Sequence, residues 1–168
     1  MALSDLKTSC KPPIPKKLKS LAIHIENDIT VQHICHPTFF GGIKMVKILV
    51  LGAGLVAGPL VRYLLEQPDF NVKVASRTKS KAENLVGDHS NGETEQLNVD
   101  NIDRLEELVS QADMAISLLP YIHHPTVAKL CIKHKKNMVT TSYVSDAMRA
   151  LDGEAKDAGI IILNEIGV

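Results

Sequence analysis

An apolar run, Val46 to Leu51, ends directly in a Gly-x-Gly-x-x-Ala turn made by Gly52, Gly54 and Ala57. That spacing suits one kind of chemistry, the holding of a dinucleotide pyrophosphate between a strand and a helix. Gly52 permits the tight turn. Gly54 has no Cβ, so the backbone can come close to phosphate oxygens. Ala57 is small enough for the following helix to pack on the strand. The N-terminus of that helix adds unpaired N–H groups and the positive end of its dipole. A βα turn that merely needs glycine would carry the same bare pattern. Context favours the dinucleotide. A second strand, Val72 to Ser76, follows a helix of suitable length and completes a unit of about 30 residues.

The end of the second strand decides which dinucleotide fits. An NAD site usually places Asp or Glu there, to accept from the ribose 2′-OH. This chain has Ser76-Arg77-Thr78 instead. The Arg77 guanidinium can grip a 2′-phosphate and stack on adenine, and Ser76 and Thr78 add hydroxyl donors. Lys79 and Lys81 add positive charge nearby. The residues point to NADP rather than NAD, with a solvated basic loop as the alternative. Asp100, after the third strand, can accept from the adenine amino group or cap the next helix.

Ser117-Leu118-Leu119-Pro120-Tyr121 closes the fourth strand, beside the middle of a bound dinucleotide. His123 and His124 come next. A paired His invites acid–base work, but the simpler reading has His124 merely preceding a helix with one ring solvated. Thr140, Thr141, Ser142 and Tyr143 lie at the same edge. They can bind a carboxylate or the nicotinamide amide, or simply cap a strand end. No catalytic acid or base stands out.

These residues need a scaffold, and the pattern from Met45 onward supplies one. Strands are expected at Val46–Leu51, Asn71–Ser76, Thr94–Val99, Met114–Leu119, Asn137–Thr141 and Ile160–Asn164. Helices are expected at Val56–Gln67, Ser80–Val86, Ile102–Gln111, Pro125–His134 and Ser145–Ala158. Pro59 and Pro125 sit in first turns, where the missing N–H is not needed. The fourth and sixth strands read as continuous apolar runs, the mark of burial on both faces. Alternation of this kind predicts an α/β fold, a doubly wound parallel sheet with strand order 3-2-1-4-5-6.

Two parts are expected along the chain. Residues 1–44 carry Pro12, Pro13 and Pro15 within four positions and six lysines against three acids. They read as a flexible extension. Residues 45–168 read as a dinucleotide-binding Rossmann domain, with Met45 as the natural start of the module. A mitochondrial presequence is disfavoured by Asp5, Glu26 and Asp28 and by the lack of Arg before residue 45.

Composition removes other classes. The formal net charge is +0, so neither nucleic acid nor an acidic membrane surface is expected as a partner. There is no Trp to stack on bases, and no apolar stretch approaches the ~20 residues of a membrane span. Cys10, Cys35 and Cys131 form no disulfide framework and read as reduced thiols of the cytoplasm. His24, His33, Cys35 and His36 match no common zinc spacing, so no metal is expected.

Taken in order, GAGLVAGP, ASRT, ISLLPYIHHPTV, VTTSYVS and AKDAGIIILNEIG resemble the NADP-dependent, L-glutamate-forming saccharopine dehydrogenases. The resemblance covers nearly all of Met45–Val168, and SLLPY and VTTSYVS are more specific than the glycine loop. It implies a reaction of the lysine pathway. The imine of glutamate and 2-aminoadipate 6-semialdehyde takes hydride from NADPH to give saccharopine, and the reverse restores both. It also implies that Gly52, Gly54, Leu55 and Val56 line the pyrophosphate, and that Ser76, Arg77 and Thr78 hold the 2′-phosphate. Asp100 would lie near adenine, and Ser117 and Leu118 would border the ribose and nicotinamide. Ser142 and Tyr143 would face the amino-acid substrate. The family continues beyond Asn-Glu-Ile-Gly into a substrate domain, and this chain stops within that motif. Weak cofactor binding and no turnover by the chain alone are therefore expected, as is self-association, a homodimer, through apolar surface left bare. The alternatives are a truncated non-catalytic NADP-binding module and a related polyamine-forming reductase.

Overall fold

In the computed structural model the described residues are 45–166. The expectations placed on residues 1–44 lie outside them.

β1 (Val46–Leu51) shows why a parallel sheet forms. Its last four residues are buried, with Ile48 and Val50 turned to one face and Leu49 and Leu51 to the other. Only a strand covered on both sides can bury consecutive apolar residues in this way. β2 (Phe70–Ser76), β3 (Gly92–Gln96), β4 (Met114–Ser117), β5 (Asn137–Thr140) and β6 (Ile162–Leu163) complete a six-stranded sheet. The strand order is β3-β2-β1-β4-β5-β6 and every pair is parallel. The doubly wound fold is thus the one expected.

α1 (Ala57–Leu65) and α2 (Lys79–Val86) cover one face. Ala57, Val61, Leu64 and Leu65, with Ala82 and Val86, pack on Ile48, Val50, Val72 and Val74. α3 (Ile102–Gln111), α4 (His124–Lys133) and α5 (Asp146–Arg149) cover the other, with Leu105, Leu108, Val127, Cys131 and Met148 against Leu49, Leu51 and Met138. Asn101 caps α3, its side chain accepting from the Arg104 N–H at 3.1 Å. Asp100 is therefore not the helix cap that its position suggested.

Three elements differ from expectation. The last helix is divided into α5 and α6 (Asp152–Ala158). Ser145 caps α5, and the Leu151 N–H bonds back only three residues, to Met148 O at 3.1 Å, which tightens and ends that helix. The break lets Met148 and Leu151 both reach the core. β6 is two residues long and not buried on both faces: Ile161 is 66% and Leu163 46% exposed. It is the sheet edge, so nothing among the described residues covers its far side. β3 begins two residues early, because Gly92 pairs with Val72 and the Val72 N–H reaches Asn91 O at 2.9 Å.

The order reverses between β1 and β4, whose last residues Leu51 and Ser117 are paired. A crevice opens above the carboxyl ends of the strands at such a reversal.

Candidate functional site

A groove of about 360 Å³ runs along that crevice. Its middle is the glycine turn. Gly52 has φ +109°, a conformation that L side chains rarely adopt. A Cβ there would also lie 3.1 Å from the Leu118 carbonyl oxygen, so the end of β4 would have to give by a few tenths of an ångström. At Gly54 a Cβ would meet nothing within 4 Å; it would project into open space at the head of α1. Ala57, the first residue of α1, is fully buried against the sheet, as close packing of helix and sheet requires.

One end of the groove is built by β2 and β3. Ser76, Arg77, Thr78 and Lys81 line it, together with Leu97, Asn98, Val99 and Asp100. No carboxylate stands at the end of β2. Lys79 is paired with Glu83 at 3.5 Å, whereas Arg77 and Lys81 make no ion pair among the described residues. Two exposed cations thus remain for an anion. Arg104 of α3 ties that helix to β3 across the intervening loop, donating to Glu95 at 2.7 Å, and also pairs with Glu107.

The opposite end is walled by Leu118, Leu119, Pro120 and His123. The structure therefore brings together Gly52, Gly54, Ser76, Arg77, Thr78, Asp100 and Leu118. It does not place the other expected residues on the groove. Leu55 and Val56 stand out from the turn, 103% and 69% exposed, and Ser117 is completely buried. Ser142 and Tyr143 lie beyond it, after β5.

Residues 48–163 match the family described as the saccharopine dehydrogenase NADP binding domain. The chain belongs to this family. It is 46% identical over 124 residues to the NADP(+), L-glutamate-forming saccharopine dehydrogenase of Schizosaccharomyces pombe, covering 74% of this chain and 28% of that protein. It is 42% identical over 123 residues to the mitochondrial alpha-aminoadipic semialdehyde synthase of Bos taurus, covering 73% of this chain and 13% of that one. The apo saccharopine dehydrogenase (L-Glu forming) structure from Saccharomyces cerevisiae superposes with a TM-score of 0.69 at 39% identity, over 73% of this chain and 27% of that one. The chain thus spans little more than a quarter of the fungal relatives. These likenesses do not favour the polyamine-forming alternative.

As a saccharopine dehydrogenase family domain, the chain holds one polar cluster that contradicts its sequence reading. His124 is not solvated; it is 2% exposed. Its Nδ1 lies 2.9 Å from Ser117 Oγ, and its Nε2 lies 2.8 Å from Ser142 Oγ and 2.9 Å from Thr140 Oγ1. Burial, reinforced by the neighbouring His123, pushes the imidazole below its ordinary pKa of 6.5 and keeps it neutral at neutral pH. The signal was present in the spacing. His124, Val127, Ala128 and Cys131 recur at i, i+3, i+4 and i+7, and all four are buried along one side of α4. Cys131 offers no nucleophile, since burial raises its thiol to about 12. Among the described residues no cluster of His, Cys, Asp or Glu could hold a metal, and no helix is long and apolar enough to cross a membrane.

Proposed function

We propose that this domain binds NADP in the groove, as the cofactor-binding part of an oxidoreductase that interconverts saccharopine with glutamate and 2-aminoadipate 6-semialdehyde. One observation carries the cofactor. The β2 end presents Ser76, Arg77 and Thr78, with Arg77 and Lys81 free of ion pairs among the described residues and no carboxylate to accept a ribose diol. Arg77, Ser76 and Thr78 would hold the 2′-phosphate and Asp100 the adenine amino group. The turn at Gly52, Gly54, Leu55, Val56 and Ala57 would hold the pyrophosphate through its backbone, with Leu118 beside the nicotinamide ribose, while the buried Ser117 bonds to His124 instead. Bound NADPH supplies a hydride. The chain's own task is to fix the ligand's position.

The substrates are supported by the names of the relatives, of whose length the chain spans little more than a quarter. Ser142 and Tyr143 would face the amino-acid substrate. Turnover is not expected of the domain by itself. The three cysteines, whose spacing makes no disulfide framework, support a reducing compartment, which we take to be the cytoplasm. The open β6 edge supports a homodimer.

The test is titration of the 168-residue chain with NADPH and NADH, followed by nucleotide fluorescence. NADPH should bind at least about tenfold more tightly, a difference of about 1.4 kcal/mol. Equal affinities, or none for either, would contradict the reading.

A further inference from the structure

The ends of β4 and β5 and the first turn of α4 meet on one imidazole, that of His124. Its contact with Ser117 joins two residues seven apart in the chain, so it closes an arc. Leu118, Leu119, Pro120 and His123, the groove wall at that end, all lie within the arc. Both closing side chains are buried, Ser117 at 0% and His124 at 2% exposure, so water does not compete for the bond. The other ring nitrogen anchors the arc to β5 through Thr140 and Ser142, and the Ser142 N–H donates to Thr140 Oγ1 at 3.3 Å. The backbone adds a second fixed point, since the Leu118 N–H donates to Leu51 O at 2.8 Å, beside the glycine turn.

The direction of the ligand follows from the proposed cofactor, on which this inference rests. Arg77 after β2 draws the 2′-phosphate, and with it the adenine nucleoside, to the β2–β3 end. The nicotinamide nucleoside is left to the arc. We propose that His124 is a positioning residue for the nicotinamide half of NADP: by closing the Ser117–His124 arc and tying it to β5, it sets the wall against which that half docks. A neutral imidazole suits the task. It offers one donor and one acceptor, and hydroxyls on either side can turn to meet each.

Two substitutions separate the ends of this bond. Asn at 124 ends near the Nδ1 position and still serves Ser117. Gln reaches toward Thr140 and Ser142 and leaves Ser117 alone. We would measure the affinity of the 168-residue chain and its variants for NADPH and for adenosine 2′,5′-bisphosphate, which has the adenine half only. His124→Gln should weaken NADPH about tenfold and leave the bisphosphate within about twofold, a loss of the size of one or two hydrogen bonds. His124→Asn should recover most of the loss. Ser117→Ala opens the arc from its other end and keeps the fold within reach if the Gln variant does not fold. It should match Gln, and the two together should lose no more than either alone. A role in folding only would weaken both ligands together and would not sort Asn from Gln; that result would overturn the proposal, as would unchanged NADPH binding in both Gln and Ser117→Ala. A parent chain that binds the bisphosphate but not NADPH more tightly would also overturn it. A parent chain that binds neither ligand would instead overturn the cofactor reading, and this inference with it.

Discussion

Gly52 is the residue where backbone conformation and site geometry are least separable. Its φ of +109° strains any L side chain, and the 3.1 Å between the Leu118 carbonyl oxygen and the place a Cβ would occupy makes that side chain crowd β4. Gly52→Ala should cost roughly 1–3 kcal/mol by strain alone and should reduce NADPH affinity by pushing β4 away from the turn. Chemical denaturation and nucleotide titration of the same variant check both effects. His124 makes a prediction of a different kind. Its pKa is depressed in the fold, so the unfolded chain binds its proton first as pH falls. The stability it contributes is complete above the ordinary value of 6.5 and declines as pH falls through the folded value. The Glu106 carboxylate, lowered by bonds from Lys133 and His134, follows the same sign at lower pH, below its ordinary 4.5. Melting temperature should thus begin to fall below about pH 6.5, and His124→Asn should flatten the first part of that decline. A first decline unaltered in His124→Asn would show that another group is responsible.

At the scale of elements, one side chain holds together the end of the sheet remote from the groove. Asn91 Nδ2 donates to Leu65 O and Phe70 O, both at 3.0 Å, and reaches Gln67 O at 3.5 Å. It therefore joins the end of α1, the start of β2 and the start of β3. Asn91→Ala should cost about 1–3 kcal/mol, since half-buried carbonyls lose their donor, and Asn91→Asp should cost more, because a carboxylate would then face carbonyl oxygens. Equilibrium unfolding in urea measures the order. The elements themselves were largely legible from the sequence. β1, α3 and the strand order followed from apolar runs, glycine turns and alternation. What was not legible depended on neighbours. IIIL reads as a buried strand, but at a sheet edge it has one partner and shows Ile161 and Leu163 to solvent. The helical stretch from Ser145 looked continuous because the division at Ala150–Leu151 uses no Pro or Gly, only the inward pull of Met148 and Leu151. The groove followed the same rule. Its β2 end was written in Ser76-Arg77-Thr78, while the bond from Ser117 to His124 needed the strand ends in place before it could be seen.

At the scale of the molecule, helices cover the two faces of the sheet, and β6 is an edge strand with β5 as its one partner among the described residues. Ile161, Leu163 and Ile166 lie at or near that edge, 66%, 46% and 42% exposed. An edge strand with apolar side chains is a site for pairing with another chain. Sedimentation at rising concentration should show self-association, and Leu163→Lys should shift it toward monomer; a monomer at all concentrations would dismiss the edge as an interface. The central claim lies at the other end of the fold, where a groove between β1 and β4 ends on a cation in place of the carboxylate that NAD requires. The measurement that tests it most directly is the affinity of Arg77→Asp for NADPH and NADH beside that of the parent chain. NADPH binding should fall by at least about tenfold while NADH binding changes little, because only the 2′-phosphate loses its partner. Equal losses for the two nucleotides would mean that Arg77 does not read the phosphate, and would contradict the account.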